Sequence, residues 1–168
     1  MKITRTWAIP NSLTFTIKPI KELINRYDFG GAESVDPFAN NNKIALYTND
    51  LDPSTTAEFN LDAKVFLKTF KDNSVDIVYF DPPYSPRQVS ECYRKMGMTV
   101  NMQTTQASFW SELKIEIARV VKPNGLVLCF GWNSQGIGKT RGFEMEEILL
   151  VAHGGHHNDT ICTVERKK

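Results

Sequence analysis

The sequence lacks the features that would tie a chain to a membrane, to an oxidising compartment or, by bulk charge, to a polyanion. No uninterrupted run of about 18 apolar residues occurs, the length a membrane-crossing helix needs. The first residues, MKITRTWAIPNSLTF, have no apolar centre of the kind a secretory leader carries. Cysteine is scarce: Cys92, Cys129 and Cys162 are odd in number and widely spaced, which argues against a disulfide framework and fits a reducing, cytoplasmic setting with the thiols as packing residues. No sign of charge dominates, with 20 Lys and Arg against 19 Asp and Glu, so the net charge of +1 exerts no whole-protein pull and any basic surface must be local. Internal repeats are absent, and Asn40-Asn41-Asn42 is the only low-complexity stretch.

What is present suits one domain spanning 1–168, since 168 residues at 41% hydrophobic can bury one real core. KPIKELINRY has Pro19 at a helix-starting position, apolar residues at helical spacing, and Gly30-Gly31 after it. ESVDPF, KIALYT and SVDIVYF are short β-rich runs, and DAKVFLKTF between the last two forms one helical face. FWSELKIEIARVV predicts a further helix, KPNG a break, and LVLCFGW a strand. MEEILLVAH and DTICTVER, joined by GGHHN, predict a closing antiparallel hairpin. Strand and helix alternate, so the expected fold is α/β: a mainly parallel sheet, helices on both faces, and the C-terminal antiparallel hairpin.

Ligands in such sheets bind beyond the carboxyl ends of the strands. VDIVYFDPPYSP ends there. Asp81 follows an apolar and aromatic run, and Pro82 and Pro83 stiffen the backbone and remove two N–H donors, leaving acceptors facing outward. A carboxylate, a carbonyl and the Tyr84 ring suit a planar amine, whose N–H groups they accept and whose ring Tyr84 stacks upon. Elsewhere, GIGKT ends like a phosphate loop, but Asn133 stands where that motif needs its first glycine. HGGHHND offers His but no complete ligand set, so no metal is expected, and His156 in this loop is placed as a contact to the substrate backbone.

DPPY at this position resembles the catalytic motif of the amino-group DNA methyltransferases, which methylate adenine N6 or cytosine N4 with S-adenosylmethionine. TIKP, residues Thr16 to Pro19, is similar to that family's Thr-x-Lys-Pro motif. DPFANNN, residues Asp36 to Asn42, is similar to its Asp-Pro-Phe-x-Gly-x-Gly loop, with Ala39 and three asparagines in the glycine region. IARVVKPNGLVLCFGW resembles the helix, turn and fifth strand of the fold. Asparagine best tolerates left-handed backbone among non-glycine residues, so the loop can keep its shape. The order and size most resemble small stand-alone adenine methyltransferases of phages and prophages, which would act in the host cytoplasm.

The resemblance implies a Rossmann-like S-adenosylmethionine-dependent methyltransferase fold, with Asp81, Pro82, Pro83 and Tyr84 as the catalytic group and Asp81 also among the residues beside the cofactor. It places Thr16, Ile17 and Lys18 at the methionine end of the cofactor, where Lys18 could pair with the carboxylate, and Asp36, Pro37 and Phe38 in the loop beside it. Asp50 would accept the ribose hydroxyls, with Asn49 and Asp52 as the next candidates, while Leu51 presses on the adenine. Asp62 would accept from the adenine amine, with Ala63 beside it; a plain helix cap is its other reading. Local basic groups, Arg87, Arg94, Lys95, Lys139 and Arg141, are the candidate DNA contacts.

Only Ser85 to Ser108 separates the catalytic motif from the next helix, leaving a short recognition loop and no separate recognition domain. Loose specificity is expected, unless a homodimer or a partner supplies more. RNA amines, a protein amide, or a catalytically dead binding module of the same fold stand as alternatives.

Overall fold

Pro19 sits where a first-turn N–H needs no partner, and Ile20, Leu23 and Ile24 fall on one face of KPIKELINRY. In the computed structural model of the chain this segment is helix α1, Lys18–Tyr27, with those three side chains buried. The structure describes residues 1–83, 86–95 and 107–168, and only the backbone of 86, 92, 95 and 107–109. Strands β1 (Lys2–Trp7), β2 (Ser34–Asp36), β3 (Tyr47–Thr48), β4 (Val75–Phe80), β5 (Val121–Gly131), β6 (Phe143–Ala152) and β7 (Thr160–Lys167) form one sheet. Its order is β1-β6-β7-β5-β4-β2-β3; β7 runs antiparallel to both neighbours and every other pair is parallel. This is the expected α/β architecture, a mainly parallel sheet with an antiparallel C-terminal pair.

Helices α2 (Ala63–Lys68) and α4 (Ala107–Val120) cover one face of the sheet and α1 the other. Alternation along β4 sends Ile77 and Tyr79 to the α1 side and Val78 and Phe80 to the α2 and α4 side. Burial on both faces is what a central parallel strand requires. Each such side chain contributes about 1.5–3 kcal/mol when removed from water. Burial also pushes the Cys129 thiol up to about 12 and raises that of Cys162, so neither forms a thiolate easily. No helix among the described residues is long and apolar enough to cross a membrane.

Four segments differ from the sequence expectation. KITRTW forms β1, parallel to β6, yet its Ile3 and Trp7 are exposed at the sheet edge, so no buried periodicity announces it. Lys2 of β1 reaches Glu147 on β6, whose buried carboxylate also takes Arg26 at 2.7 Å and Tyr27 at 3.0 Å. KIALYT shrinks to two strand residues because side chains take its backbone. Asn42 Oδ1 accepts the Ile44 N–H and Ser34 Oγ the Leu46 N–H. Within the expected recognition loop, Pro86–Lys95 is instead helix α3, opened by Pro86 and supported by an Arg87–Glu91 pair at 2.8 Å. Strand β5 begins at Val121, ahead of the expected break, which survives as an irregular stretch with left-handed Asn124 (φ 64°).

Candidate active site

The carboxyl ends of β2, β3 and β4 open into a cleft of about 820 Å³, in the upper part of the range for small-molecule sites. Its walls are built from the motifs. At the end of β2, Asp36 Oδ1 accepts the Phe38 N–H at 3.0 Å and turns the chain, which brings Pro37 and Phe38 to the cleft wall. Phe38 is fixed there by an edge-to-face contact with Phe80, centroids 5.9 Å apart. Asp36 itself is fully buried behind the wall rather than lining it, and its Oδ2 has no partner. Burial, with the charges of Asp81 and Asp50 adding, holds its carboxyl well above the usual carboxylate range. It therefore shapes the loop from behind the wall.

The asparagine loop keeps its shape through one residue. Asn40 adopts a left-handed φ of 50°, and its N–H donates to Asp50 Oδ2 at 2.9 Å. Asp50 lies on the cleft wall and accepts a second backbone N–H, from Asp52, on Oδ1 at 2.9 Å. One lone pair remains on each oxygen. Asn49 is placed differently: buried, it donates to Pro37 O and Leu61 O at 3.2 and 3.0 Å and accepts from Leu61 N–H at 3.0 Å. Its side chain is thereby consumed in fastening three segments behind the wall.

Leu51 and Asp52 continue the wall, and Asp62 and Ala63 close it at the start of α2. Asp62 Oδ1 caps that helix through the Lys64 and Val65 N–H groups at 2.9 and 3.3 Å, leaving Oδ2 to accept elsewhere. Of its two readings the helix cap is the one seen directly. From the N-terminal side, Thr16 lines the cleft, while Ile17 packs into the core and Lys18 is exposed at the helix start, outside the lining. Lys21, three residues further along α1, lines the cleft where Lys18 does not.

Asp81, Pro82 and Pro83, half-buried at the end of β4, stand in the same cleft. Tyr84 and the Lys95 side chain lie outside the described residues. Sequence reasoning missed the opposite wall, where Val89 and Tyr93 of α3 and Trp110 of α4 line the cleft. The i,i+4 spacing of Val89 and Tyr93 was the available signal.

The basic candidates scatter. Arg87 and Arg94 are exposed on α3, near the cleft, with Arg87 paired to Glu91. Lys139 and Arg141 immediately precede β6, which runs parallel to β5, so they fall at the opposite edge of the sheet from the cleft. Arg141 is spent on structure, donating to Ile137 O at 3.1 Å and Ser111 Oγ at 2.9 Å. Nor do the amides of GIGKT await a phosphate: those of Ile137 and Gly138 donate to the buried Glu165 carboxylate. His156 lies on the cleft's own rim, in the loop after β6, beside a second depression.

A family model described as D12 class N6 adenine-specific DNA methyltransferase matches residues 20–117, more than half of the chain. No curated protein matches the sequence. Among solved structures, TrmN from Thermus thermophilus aligns with a TM-score of 0.57 at 19% identity, covering 90% of this chain and 49% of that one. This chain therefore spans about half of TrmN. The yhhF protein of Escherichia coli aligns at 0.58 with 13% identity, covering 95% and 90% of the two chains. A Burkholderia thailandensis 1,6-didemethyltoxoflavin-N1-methyltransferase, solved with bound 1,6-didemethyltoxoflavin and S-adenosylhomocysteine, aligns at 0.60 with 10% identity, covering 90% and 77%.

Proposed function

The chain belongs to the D12 class of N6 adenine-specific DNA methyltransferases, whose cofactor is S-adenosylmethionine, and from that premise we propose that it methylates the N6 amine of adenine in DNA on a flipped or unpaired base. The observation that carries this reading is that Asp81, Pro82 and Pro83 share one cleft with Asp50, Leu51, Asp62 and Ala63. The donor set fits the cofactor: Asp50 offers two lone pairs to a ribose diol, Asp62 one oxygen to an adenine amine, and Leu51 and Phe38 apolar surface to the ring. Lys21 and Thr16, at the other end, suit an amino-acid carboxylate.

When bound, the cofactor supplies an electrophilic methyl group on a sulfonium. Everything else falls to the chain. The lone pair of an adenine amine is delocalised into its ring, so the nitrogen is a poor nucleophile until its hydrogens are held and it becomes tetrahedral. Asp81 and the Pro82 carbonyl accept those hydrogens, and their negative ends face the positive charge that grows on nitrogen. Holding the nitrogen in line supplies proximity, and no covalent nucleophile is required. In a duplex the amine is paired, so the base must leave the stack; Tyr84 is the expected stacking platform.

Tritiated methyl transfer to DNA, RNA and protein side by side, followed by nucleoside analysis, tests the substrate. N6-methyladenine in DNA is the expected product. Asp81→Ala should lower kcat by at least about 10²-fold, the loss typical of removing one preorganised acceptor or donor, while cofactor affinity measured by calorimetry stays within a factor of about two. Substantial residual transfer in that variant would sink the assignment.

A further inference from the structure

Beside the cleft a second depression, of about 450 Å³, opens between the N-terminal loop, the end of β5 and the loop from β6 to β7. It is a built feature. At its floor His153 is buried, with Nδ1 bonded to Ala8 O and Nε2 to Thr160 Oγ1, both at 2.9 Å. Asp159 Oδ1 accepts the His153 N–H at 3.1 Å, and left-handed Gly154 and Gly155 turn the chain so that His156 and His157 line the depression. Trp132, just past the end of β5, faces it and is 41% exposed. Ser12, Thr14 and Gln88 line both this depression and the cleft, so the two are continuous.

Their charges differ. The cleft is lined by Asp50, Asp52, Asp62, Asp81 and Glu91 against two cations, Lys21 and Lys43, whereas no Asp, Glu, Lys or Arg is among the described residues lining the depression, Asp159 lying behind it on the His153 N–H. A nucleic-acid strand carries one negative charge per nucleotide. The acid-lined cleft can admit a base but repels its phosphates, which leaves the acid-free depression as the nearest place for the backbone to run. The spacing agrees. Phe80 pairs with Cys129, so Gly131, the last residue of β5, stands one strand over and about one residue beyond Asp81, and the chain bends at Trp132 from there, its backbone on the order of 8 Å from that of Asp81. One nucleotide step bridges that distance.

We propose that this depression is a second nucleotide site, which holds the base and phosphate adjacent to the target adenine. Trp132 stacks on that neighbouring base, the amides of Asn11, Gln88 and Asn158 meet its edges, and His156 and His157 face the phosphate. The inference rests on the reading of the chain as a DNA methyltransferase. It also makes the neighbour a determinant of specificity, since an amide carries both donors and an acceptor; Asn11, whose Nδ2 donates to Thr16 Oγ1 and whose Oδ1 accepts the Leu13 N–H, is held in place by those bonds and keeps one N–H and one lone pair for the base. A base reaches Trp132 only after leaving its stack, so the site favours unpaired DNA.

The test uses a single-stranded oligonucleotide with one adenine, and two copies carrying an abasic residue on its 5′ or its 3′ side. Loss of base–aromatic stacking should raise the wild-type KM about 5- to 140-fold on one of the abasic substrates. Trp132→Ala should show a similar rise on the intact oligonucleotide and no further rise on that abasic one, while Trp132→Phe retains most of the affinity. Cofactor affinity should be the same in all three proteins. The site is wrong if Trp132→Ala binds and methylates the intact oligonucleotide like wild type, or if wild type is indifferent to both abasic residues. Failure of the underlying reading looks different, because wild type would then transfer no methyl group to any DNA. Fluorescence anisotropy would in that case judge the site, and equal oligonucleotide binding by wild type and Trp132→Ala would overturn it.

Discussion

Asp50 does two jobs that a pair of substitutions can separate. Its oxygens each accept one backbone N–H, from Asn40 and Asp52, and each keeps one lone pair for a ribose hydroxyl. Asp50→Ala removes both the ribose acceptors and the tether on left-handed Asn40. Hydrogen bonds to a charged group contribute about 1.5–3 kcal/mol, so cofactor affinity should fall about 12- to 140-fold. Asp50→Asn keeps the size and one acceptor oxygen, but must turn an NH₂ toward either the Asn40 or the Asp52 N–H. Its loss should be smaller than that of Asp50→Ala, with a lower thermal midpoint in the absence of cofactor marking the disturbed loop. Calorimetry with S-adenosylhomocysteine gives the affinities and unliganded thermal melts give the loop contribution. Unchanged affinity in both variants would refute the ribose assignment and transfer it to Asp52, because the side chain of Asn49 is already committed to Pro37 and Leu61.

Asp36 predicts a pH dependence. Burial raises its carboxyl in the native state, so the folded protein retains a proton that the unfolded chain gives up, and stability falls as pH rises from the ordinary carboxylate range through the native value. Asp36→Asn keeps the acceptor for the Phe38 N–H and should flatten that slope, becoming the more stable form at alkaline pH; urea midpoints across a pH series with an unchanged slope would show the reasoning wrong. Specificity should be loose or confined to a very short site, and DNA affinity should fall steeply with salt, because so short a stretch as Ser85–Ser108 presents few groups to base edges. Mapping of methyladenine in treated DNA checks this, and strict confinement by the protein alone to one site of about five or more base pairs would contradict it.

The sequence revealed most where a residue's role follows from its neighbours along the chain. Pro19 with Ile20, Leu23 and Ile24 is self-sufficient as a helix signal, and the strand ending in Asp81-Pro82-Pro83 announces both its direction and its rim. Functions set by distant partners stayed hidden. Nothing local tells that Asn49 is buried by carbonyls of residues 37 and 61, or that Asp36 turns inward while Pro37 and Phe38 face the cleft. Lys18 and Lys21 differ by less than one helical turn, and only the packing of α1 decides which of them meets the cleft. Arg141 reads as a surface cation, yet its guanidinium is tied to Ile137 and Ser111. The α3 helix was legible in principle, but its polar composition masked the Val89 and Tyr93 face.

The pairing of β1 with β6 joins Lys2 to Glu147, and this has a consequence for the order in which the molecule can assemble. During synthesis the segments that wall the cleft, from Ser12 to Trp110, emerge before β6 and β7 exist. β1 emerges before all of them and must wait for the second-to-last strand before its backbone has a partner. Closing so long a loop is entropically slow, and until it closes Ile3 and Trp7 are carried on an unpaired strand open to other chains. Crowded, rapid expression should therefore penalise this protein through its first strand, far from the residues that do its chemistry.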